Sequence, residues 1–123
     1  MLKVHAKHLG NVAVLSLQGR IVNGDTEILH EAVDSVTDVN AVILDLAQVT
    51  TVDARGLGVM LELREQAEAK GMRFELMNLT RMVGKVLEVT RLDTVFQITS
   101  GVEFFPAVAR DRRAPVTALA SCA

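Results

Sequence analysis

A nearly continuous apolar run at residues 42–46, VILDL, constrains the fold of this chain more than any other feature. A strand that is covered on both faces loses the usual alternation of apolar and polar residues, as central strands of parallel sheets do. An amphipathic segment follows, which predicts a helix that begins after Asp53 and ends at Gly71. Its apolar side comprises Leu57, Met60, Leu61, Leu63 and Ala67. Because parallel strands need helical crossovers, this order predicts an α/β domain.

Further strands are predicted on both sides of this central unit. Residues 2–7 and 12–18 alternate in hydrophobicity and are joined by a Gly10-Asn11 turn, which favours an opening hairpin. Residues 72–79 indicate another strand, and residues 92–98 a short strand at the edge of the sheet. The sequence therefore predicts a mixed sheet of four to five strands.

Three more helices complete the predicted domain. One follows Asp25, whose carboxylate is placed to cap free N–H groups, one follows Thr80, and the last spans residues 102–113. The core-facing positions are expected to be Ile28, Leu29, Ala32, Val33 and Val36 in the first helix and Met82, Val83, Val86 and Leu87 in the second. We expect one domain at residues 1–113, with helices flanking the sheet, and a loosely ordered tail at 114–123.

Composition narrows the kinds of partner that suit this chain. Only 3% of the 123 residues are aromatic, which disfavours nucleic-acid modules that stack bases on aromatic rings. The formal net charge is −2, and Arg110, Arg112 and Arg113 form a short basic cluster that is typical of a solvated helix end. We therefore expect no direct DNA binding, and a partner that is another protein.

The distribution of apolar residues and the single cysteine indicate the cellular compartment of the protein. The first ten residues lack the apolar run of a signal peptide, and the longest apolar stretch, residues 41–44, ends at Asp45. Cys122 has no second cysteine with which to form an internal disulfide. These features predict neither export nor membrane insertion and favour the reducing cytoplasm.

No catalytic, metal or cofactor site is predicted. His5 and His8 point to opposite faces of a strand, so they and His30 are expected to be exposed rather than to ligate an ion. The motif Gly56-Leu57-Gly58 is only a fragment of a dinucleotide-binding fingerprint, and no hydrolase elbow is present. A small enzyme with Asp45 and Asp53 at the strand ends is one alternative, although two carboxylates alone define no reaction. Asp53 is also a natural N-cap of the helix that follows it.

The residues resemble a known family. Gly19 after VLSL, the strand VILDL, the junction VDARGLGV at residues 52–59 and the helix start TRMV at 80–83 together resemble the STAS domain of bacterial anti-sigma factor antagonists. The resemblance covers roughly residues 3–110. It implies a domain without catalytic activity that binds an anti-sigma factor, which is also a serine kinase, and so frees the sigma factor. It also implies that phosphorylation of a Ser or Thr immediately after the Asp switches this binding off.

The position that matches this phosphoacceptor is Ala54, which has no hydroxyl group. Arg55 stands where a second small polar residue is frequent in the family, and Thr50 and Thr51 offer alternative hydroxyls just upstream. The expected partner-binding and switch residues are Asp25, Thr50, Thr51, Asp53, Ala54, Arg55, Gly56, Leu57 and Gly58, with the loop at 19–25 beside them. A STAS subunit that accompanies a lipid-transport ATPase is the alternative that the same resemblance leaves open.

Overall fold

The computed structural model describes residues 2–99, which form a five-stranded mixed sheet. The strands follow one another across the sheet in chain order: β1 Lys3–Leu9, β2 Val12–Ile21, β3 Ala41–Val52, β4 Arg73–Met77 and β5 Gln97–Thr99. β1 and β2 form the predicted antiparallel hairpin, and every later neighbouring pair is parallel. The predicted α/β architecture is confirmed.

Three helices provide the crossovers between the parallel strands: α1 Glu27–Asp34, α2 Ala54–Ala69 and α3 Arg81–Val89. Their buried side chains share one core cluster with one face of the sheet, where Leu15, Leu44 and Leu76 lie. Val14, Ile43 and Met77 form a smaller apolar cluster on the opposite face. The two clusters bury both faces of β3, which explains its continuous apolar sequence.

The central strand is longer than its apolar run. Residues 42–44 and Leu46 are fully buried, as predicted, and the strand continues to Val52 because residues 48–49 and 51–52 pair with the end of β2. The register shifts twice along this pair, so that β3 carries an extra residue near Ala47 and another at Thr50. Exposed Gln48 and Thr50 interrupt the apolar pattern, so the sequence predicted only the first half of the strand.

The helix after the central strand agrees with its pattern. Leu57, Met60, Leu63 and Ala67 are buried, Leu61 is half-buried, and Gly71 follows the helix with a φ of +78°. A positive φ is the conformation that glycine tolerates and that terminates many helices.

Two predicted core residues are exposed. Met82 is 56% exposed and Ile28 42% exposed. A helix advances about 100° per residue, and the buried pairs at 83/87 and 29/33 point at the sheet. Met82 and Ile28 each come one residue before such a pair, so they lie at the side of the helix. Apolar spacing alone assigns both of them to the core.

The cap of α1 and the edge strand also differ from prediction. The Asp25 N–H donates to the carbonyl of Val22 at 3.0 Å, which places Asp25 in a turn. Thr26 then occupies the N-cap of α1, without a side-chain capping bond, in place of the predicted Asp25. Residues 92–94 form a 3₁₀ turn, and only the last part of the predicted edge segment, β5, is a strand.

Several predictions fall outside the described residues: the helix at 102–113, the tail at 114–123, the arginine cluster and Cys122. Within residues 2–99, no helix is both long and apolar enough to cross a membrane.

The start of α2 lies directly against the end of β2. The carbonyl oxygen of Ile21 accepts a hydrogen bond from the Asp53 N–H at 3.3 Å. A methyl group added to Gly56 would overlap this same oxygen and lie 2.8 Å from the carbonyl carbon of Ile21. Gly58, two residues later, has open space within 4 Å of such a methyl group. Gly56 is therefore the position that lets the helix begin so close to the strand.

Replacing Leu44 with Asp is expected to unfold the domain. Leu44 is fully buried, and an unpaired carboxylate in that place costs several kcal/mol, comparable with the roughly 5–15 kcal/mol that stabilise a typical domain. Circular dichroism during thermal unfolding measures the effect. Leu9→Asp, on a β1 residue that is 39% exposed, is the control and should melt close to the parent. Equal melting of the two variants would contradict the central position of β3.

Gly56→Ala and Gly58→Ala are expected to change stability in opposite directions. The first forces the helix away from Ile21 and should cost about 1–3 kcal/mol, as overpacking does. The second replaces glycine by alanine in a helix with space to spare and should gain up to about 1 kcal/mol. Urea unfolding of both variants tests this pair. A stabilised Gly56→Ala variant would show that the contact with Ile21 is not tight.

Candidate partner-binding site

Two predicted segments, residues 50–58 and the loop at 19–25, lie side by side at one edge of the sheet. β2 and β3 are parallel neighbours, so their carboxyl ends emerge together, with Ile21 paired to Val52. The hydroxyl of Thr50 donates a hydrogen bond to the carbonyl oxygen of Gly19 at 3.2 Å. This bond joins the two segments two residues before each strand ends. The sheet topology thus brings together residues that are about thirty positions apart in the chain.

The carboxylate of Asp53 connects these segments more tightly. Its Oδ1 accepts a hydrogen bond from the Gly56 N–H at 2.8 Å, which makes Asp53 the N-cap of α2. Its Oδ2 accepts from the Asn23 N–H at 3.0 Å, in the loop between β2 and α1. One side chain therefore caps the helix and holds the neighbouring loop against its start.

These hydrogen bonds also affect the ionisation of Asp53. The Asn23 N–H, and next the Gly56 N–H, hold the pKa of this carboxyl below its usual value of 3.8. A lowered pKa in the folded state means that the ionised carboxylate stabilises the fold above pH 3.8. This contribution is lost as the pH falls through the lower folded value. At neutral pH the carboxylate is therefore ionised and accepts both hydrogen bonds as a charged group.

The first turn of α2 exposes Ala54 and Arg55. The methyl group of Ala54 stands where a helix N-terminus offers unpaired N–H groups, and the first turn contains no acidic side chain. Arg55 forms no ion pair with any residue among 2–99. The exposed start of the helix therefore presents a small apolar group beside a positive charge that has no ion-pair partner among the described residues.

The remaining predicted site residues differ in how far they are exposed to solvent. Thr50 is exposed, whereas Thr51, Asp25 and Gly58 are half-buried. Gly56 and Leu57 are buried, and both serve the packing of α2 against the core. The part of this region that a partner can touch is therefore concentrated at Thr50, Ala54 and Arg55 and at the adjoining loop.

The sequence predicted the loop at 19–25 and the helix cap at Thr80, but not the contacts that three residues there make with the neighbouring segments. Ile21 and Asn23 act through their backbone carbonyl and N–H, so their side chains carry no signal of it. Thr80, the N-cap of α3, donates its hydroxyl to the carbonyl of Val49 at 3.0 Å. This bond fixes α3 beside β3 and leaves a groove of about 570 Å³ between them, bordered by Thr50 and by exposed Met82.

The three histidines are dispersed. The register pairs His5 with Ser16 and His8 with Ala13, which confirms that the two side chains point to opposite faces. His30 lies on α1, with its Nε2 3.6 Å from a carboxylate oxygen of Glu62. Within residues 2–99, no three His, Cys, Asp or Glu side chains are grouped so that they could hold a metal ion.

Comparison with known proteins places this geometry in a family. Residues 3–109 match the model of the STAS domain. A STAS-domain-containing protein of Pseudomonas aeruginosa (strain UCBPP-PA14) is 26% identical over 91 residues, which are 73% of this chain and 90% of that protein. The resemblance that the sequence motifs indicated is thereby confirmed.

Solved structures share the fold. An anti-sigma factor antagonist from Mycobacterium paratuberculosis superimposes with a TM-score of 0.71 at 19% identity, covering 89% of this chain and 95% of that one. The phosphorylated form of SpoIIAA, a Bacillus cell fate determinant, gives 0.63 at 18% identity, covering 86% and 99%. A sulfate transporter family protein from Wolinella succinogenes gives 0.66 at 18% identity, covering 73% and 77%. These superpositions establish a common fold, and the match over residues 3–109 shows that the chain belongs to the STAS domain family.

Proposed function

We propose that this protein is a regulatory binding protein without catalytic activity, which acts as an anti-sigma factor antagonist. It binds an anti-sigma factor that is also a serine kinase, and thereby controls the availability of a sigma factor. The observation that carries the proposal is the start of α2, where Asp53 holds two loops in one surface and exposes Ala54 and Arg55. The likeness of the fold to an anti-sigma factor antagonist supports it.

In this proposal the binding surface is permanently in its unphosphorylated state at the family's switch position. A phosphate on residue 54 would follow Asp53 directly and add negative charge beside an existing carboxylate. The methyl group of Ala54 forms no phosphoester, so that charge never arises there. The partner therefore meets the same neutral and basic surface under all conditions.

The two upstream threonines are poor substitutes for the missing acceptor. Both belong to β3, where the backbone is held in the sheet against β2. The hydroxyl of Thr50 is engaged by the carbonyl of Gly19, and Thr51 is half-buried. A kinase would have to detach this strand end before either hydroxyl reached its active site, so we propose that neither threonine takes over the switch.

The chemistry of Asp53 supports a binding role over an enzymatic one. Both carboxylate oxygens already accept backbone hydrogen bonds, and the pKa of the group is lowered, which makes it a weaker base. Such a carboxylate is suited to holding loops and not to taking a proton from a substrate. We place the protein in the cytoplasm, where sigma factors act.

The competing proposal, a STAS subunit of a lipid-transport ATPase complex, shares the same domain. The fold also occurs in a sulfate transporter family protein, so the fold alone does not select the partner. Affinity purification of the full chain from its own organism separates the two, because one predicts a kinase-like anti-sigma factor and the other a nucleotide-binding transport subunit.

Ala54→Ser is expected to restore phosphorylation. The new hydroxyl is exposed at the first turn of α2, where unpaired N–H groups and the helix dipole favour an added phosphate. Incubation with the cognate kinase and ATP, followed by mass spectrometry, should find phosphate on residue 54 of the variant and none on the parent. Thr51→Ala serves as the control and should behave as the parent. Phosphate on Thr50 or Thr51 of the parent would refute the loss of the switch.

Arg55→Glu is expected to weaken binding of the anti-sigma factor by about tenfold, mainly through slower association, since Arg55 is an exposed charge at the rim of the proposed interface, with no ion-pair partner among residues 2–99. Surface plasmon resonance at low and high salt measures the association rate. Lys70→Glu makes the same charge change at the far end of α2 and should leave binding near the parent's value. An unchanged affinity in Arg55→Glu would remove Arg55 from the interface.

A further inference from the structure

A cavity lies on the face of the sheet opposite the helices. It has a volume of about 300 Å³ and is lined by five polar residues together with Leu17 and Ala47; the polar residues are His5, Ser16, Gln18, Asp45 and Gln48. Three of these residues form a row across β1, β2 and β3, because the register pairs His5 with Ser16 and Ser16 with Asp45. Asp45 and His5, which the sequence presented as separate features, thus border one cavity.

The first register shift of β3 completes this cavity. Before the shift, on the same face of the sheet, Val14 lies next to Ile43, and both are buried apolar residues. Two residues later on each strand, Ser16 lies next to Asp45. After the extra residue in β3, the register pairs Gln18 with Gln48. The buried apolar face therefore gives way to four polar side chains on two neighbouring strands, of which Gln18 and Gln48 are exposed.

The carboxylate of Asp45 is held in a defined orientation. Its Oδ1 accepts hydrogen bonds from the Ala47 N–H at 3.1 Å and from the Asn78 Nδ2 at 3.2 Å. Among residues 2–99, both hydrogen bonds of this carboxylate fall on Oδ1, and Oδ2 has no protein donor. A fixed carboxylate with one oxygen left over is suited to an ammonium group, because charge-assisted hydrogen bonds of this kind are the strong ones.

The opposite side of the cavity carries His5, which lies on β1, two strands away from Asp45. Lys3 does not line the cavity, but it pairs with the lining residue Gln18 in the same register. Neighbouring strands are about 4.8 Å apart, so Asp45 and His5 are separated by roughly 10 Å. Ser16 and Gln18 lie between them on β2, and a hydroxyl and an amide can each donate and accept hydrogen bonds.

From this polarity we infer that the cavity binds a small zwitterion, an amino acid whose ammonium and carboxylate groups are separated by several carbon atoms. The ammonium group binds Oδ2 of Asp45, and the carboxylate group binds on the side of His5 and Lys3. A cavity of about 300 Å³ has the size of a small-ligand site.

The order of the row argues against a hydrolytic site. In a Ser-His-Asp triad the histidine lies between the other two residues, so that it takes the proton from serine while the aspartate orients it. Here Ser16 lies between His5 and Asp45. The arrangement therefore serves binding and does not activate the serine.

A series of zwitterions tests the inference on the protein alone. Glycine, β-alanine, γ-aminobutyrate and 6-aminohexanoate increase the distance between the two charges, while n-butylamine and butyrate carry one charge each. Amide resonances at residues 16–18 and 45–48 should shift with one of the longer zwitterions, and each single-charge analogue should bind at least about tenfold more weakly. Absence of binding by all four zwitterions, or equal binding by n-butylamine, would overturn the inference.

Two variants with a matched control locate the site. Asp45→Asn keeps an oxygen for the Ala47 N–H but removes the charge, and should weaken binding at least about tenfold. His5→Gln, on an exposed strand position, should weaken it without affecting the fold, whereas His8→Gln on the other face of the same strand should bind as the parent does. Parent-like binding by both Asp45→Asn and His5→Gln would overturn the site. Because no anti-sigma factor is present, the outcome is independent of the proposed function.

Discussion

The pair of hydrogen bonds accepted by the Asp53 carboxylate organises the edge of this domain that we propose binds the partner. One bond, from the Gly56 N–H, caps the start of α2, and the other holds Asn23 in a loop 30 residues earlier in the chain. The helix can approach so closely because Gly56 has no side chain to meet the carbonyl of Ile21. A carboxylate cap and a glycine contact together convert two strand ends into one continuous surface, and the exposed residues of α2 gain their position from it.

Much of this arrangement could be predicted from the sequence because it depends on local patterns. The apolar run at 42–46 predicted the buried centre of the sheet, and the spacing from Leu57 to Ala67 predicted the buried side of α2. Asp53 was also a predictable cap, since a carboxylate directly before an amphipathic helix has free N–H groups to accept. Each of these features is decided within about four residues, where periodicity and capping rules apply.

What the sequence left undetermined depends on contacts between distant segments. Spacing identified the apolar residues of α1 and α3 but not the direction of each helix, so Ile28 and Met82 were assigned to the core although they are exposed. The bond from Asn23 uses a backbone N–H, which every residue except proline possesses. The row from His5 to Asp45 requires the register of three strands, and the first shift in β3, which then pairs Gln18 with Gln48, has no signature in residue type.

The polar cavity and the partner-binding edge share the same two strand segments. Gln18 borders the cavity and Gly19 accepts the bond from Thr50, while Gln48 precedes that threonine by two residues in β3. The second register shift lies at Thr50, so β3 passes from the cavity to the partner-binding edge within a few residues. A ligand influences a partner only if it binds two arrangements of such a segment with different affinity. The two register shifts interrupt the ladder of hydrogen bonds between β2 and β3 in the stretch that links the cavity to the start of α2. In the proposals made above, Ala54 accepts no phosphate, and this stretch of β2 and β3 is the connection between the proposed ligand cavity and the surface around Arg55.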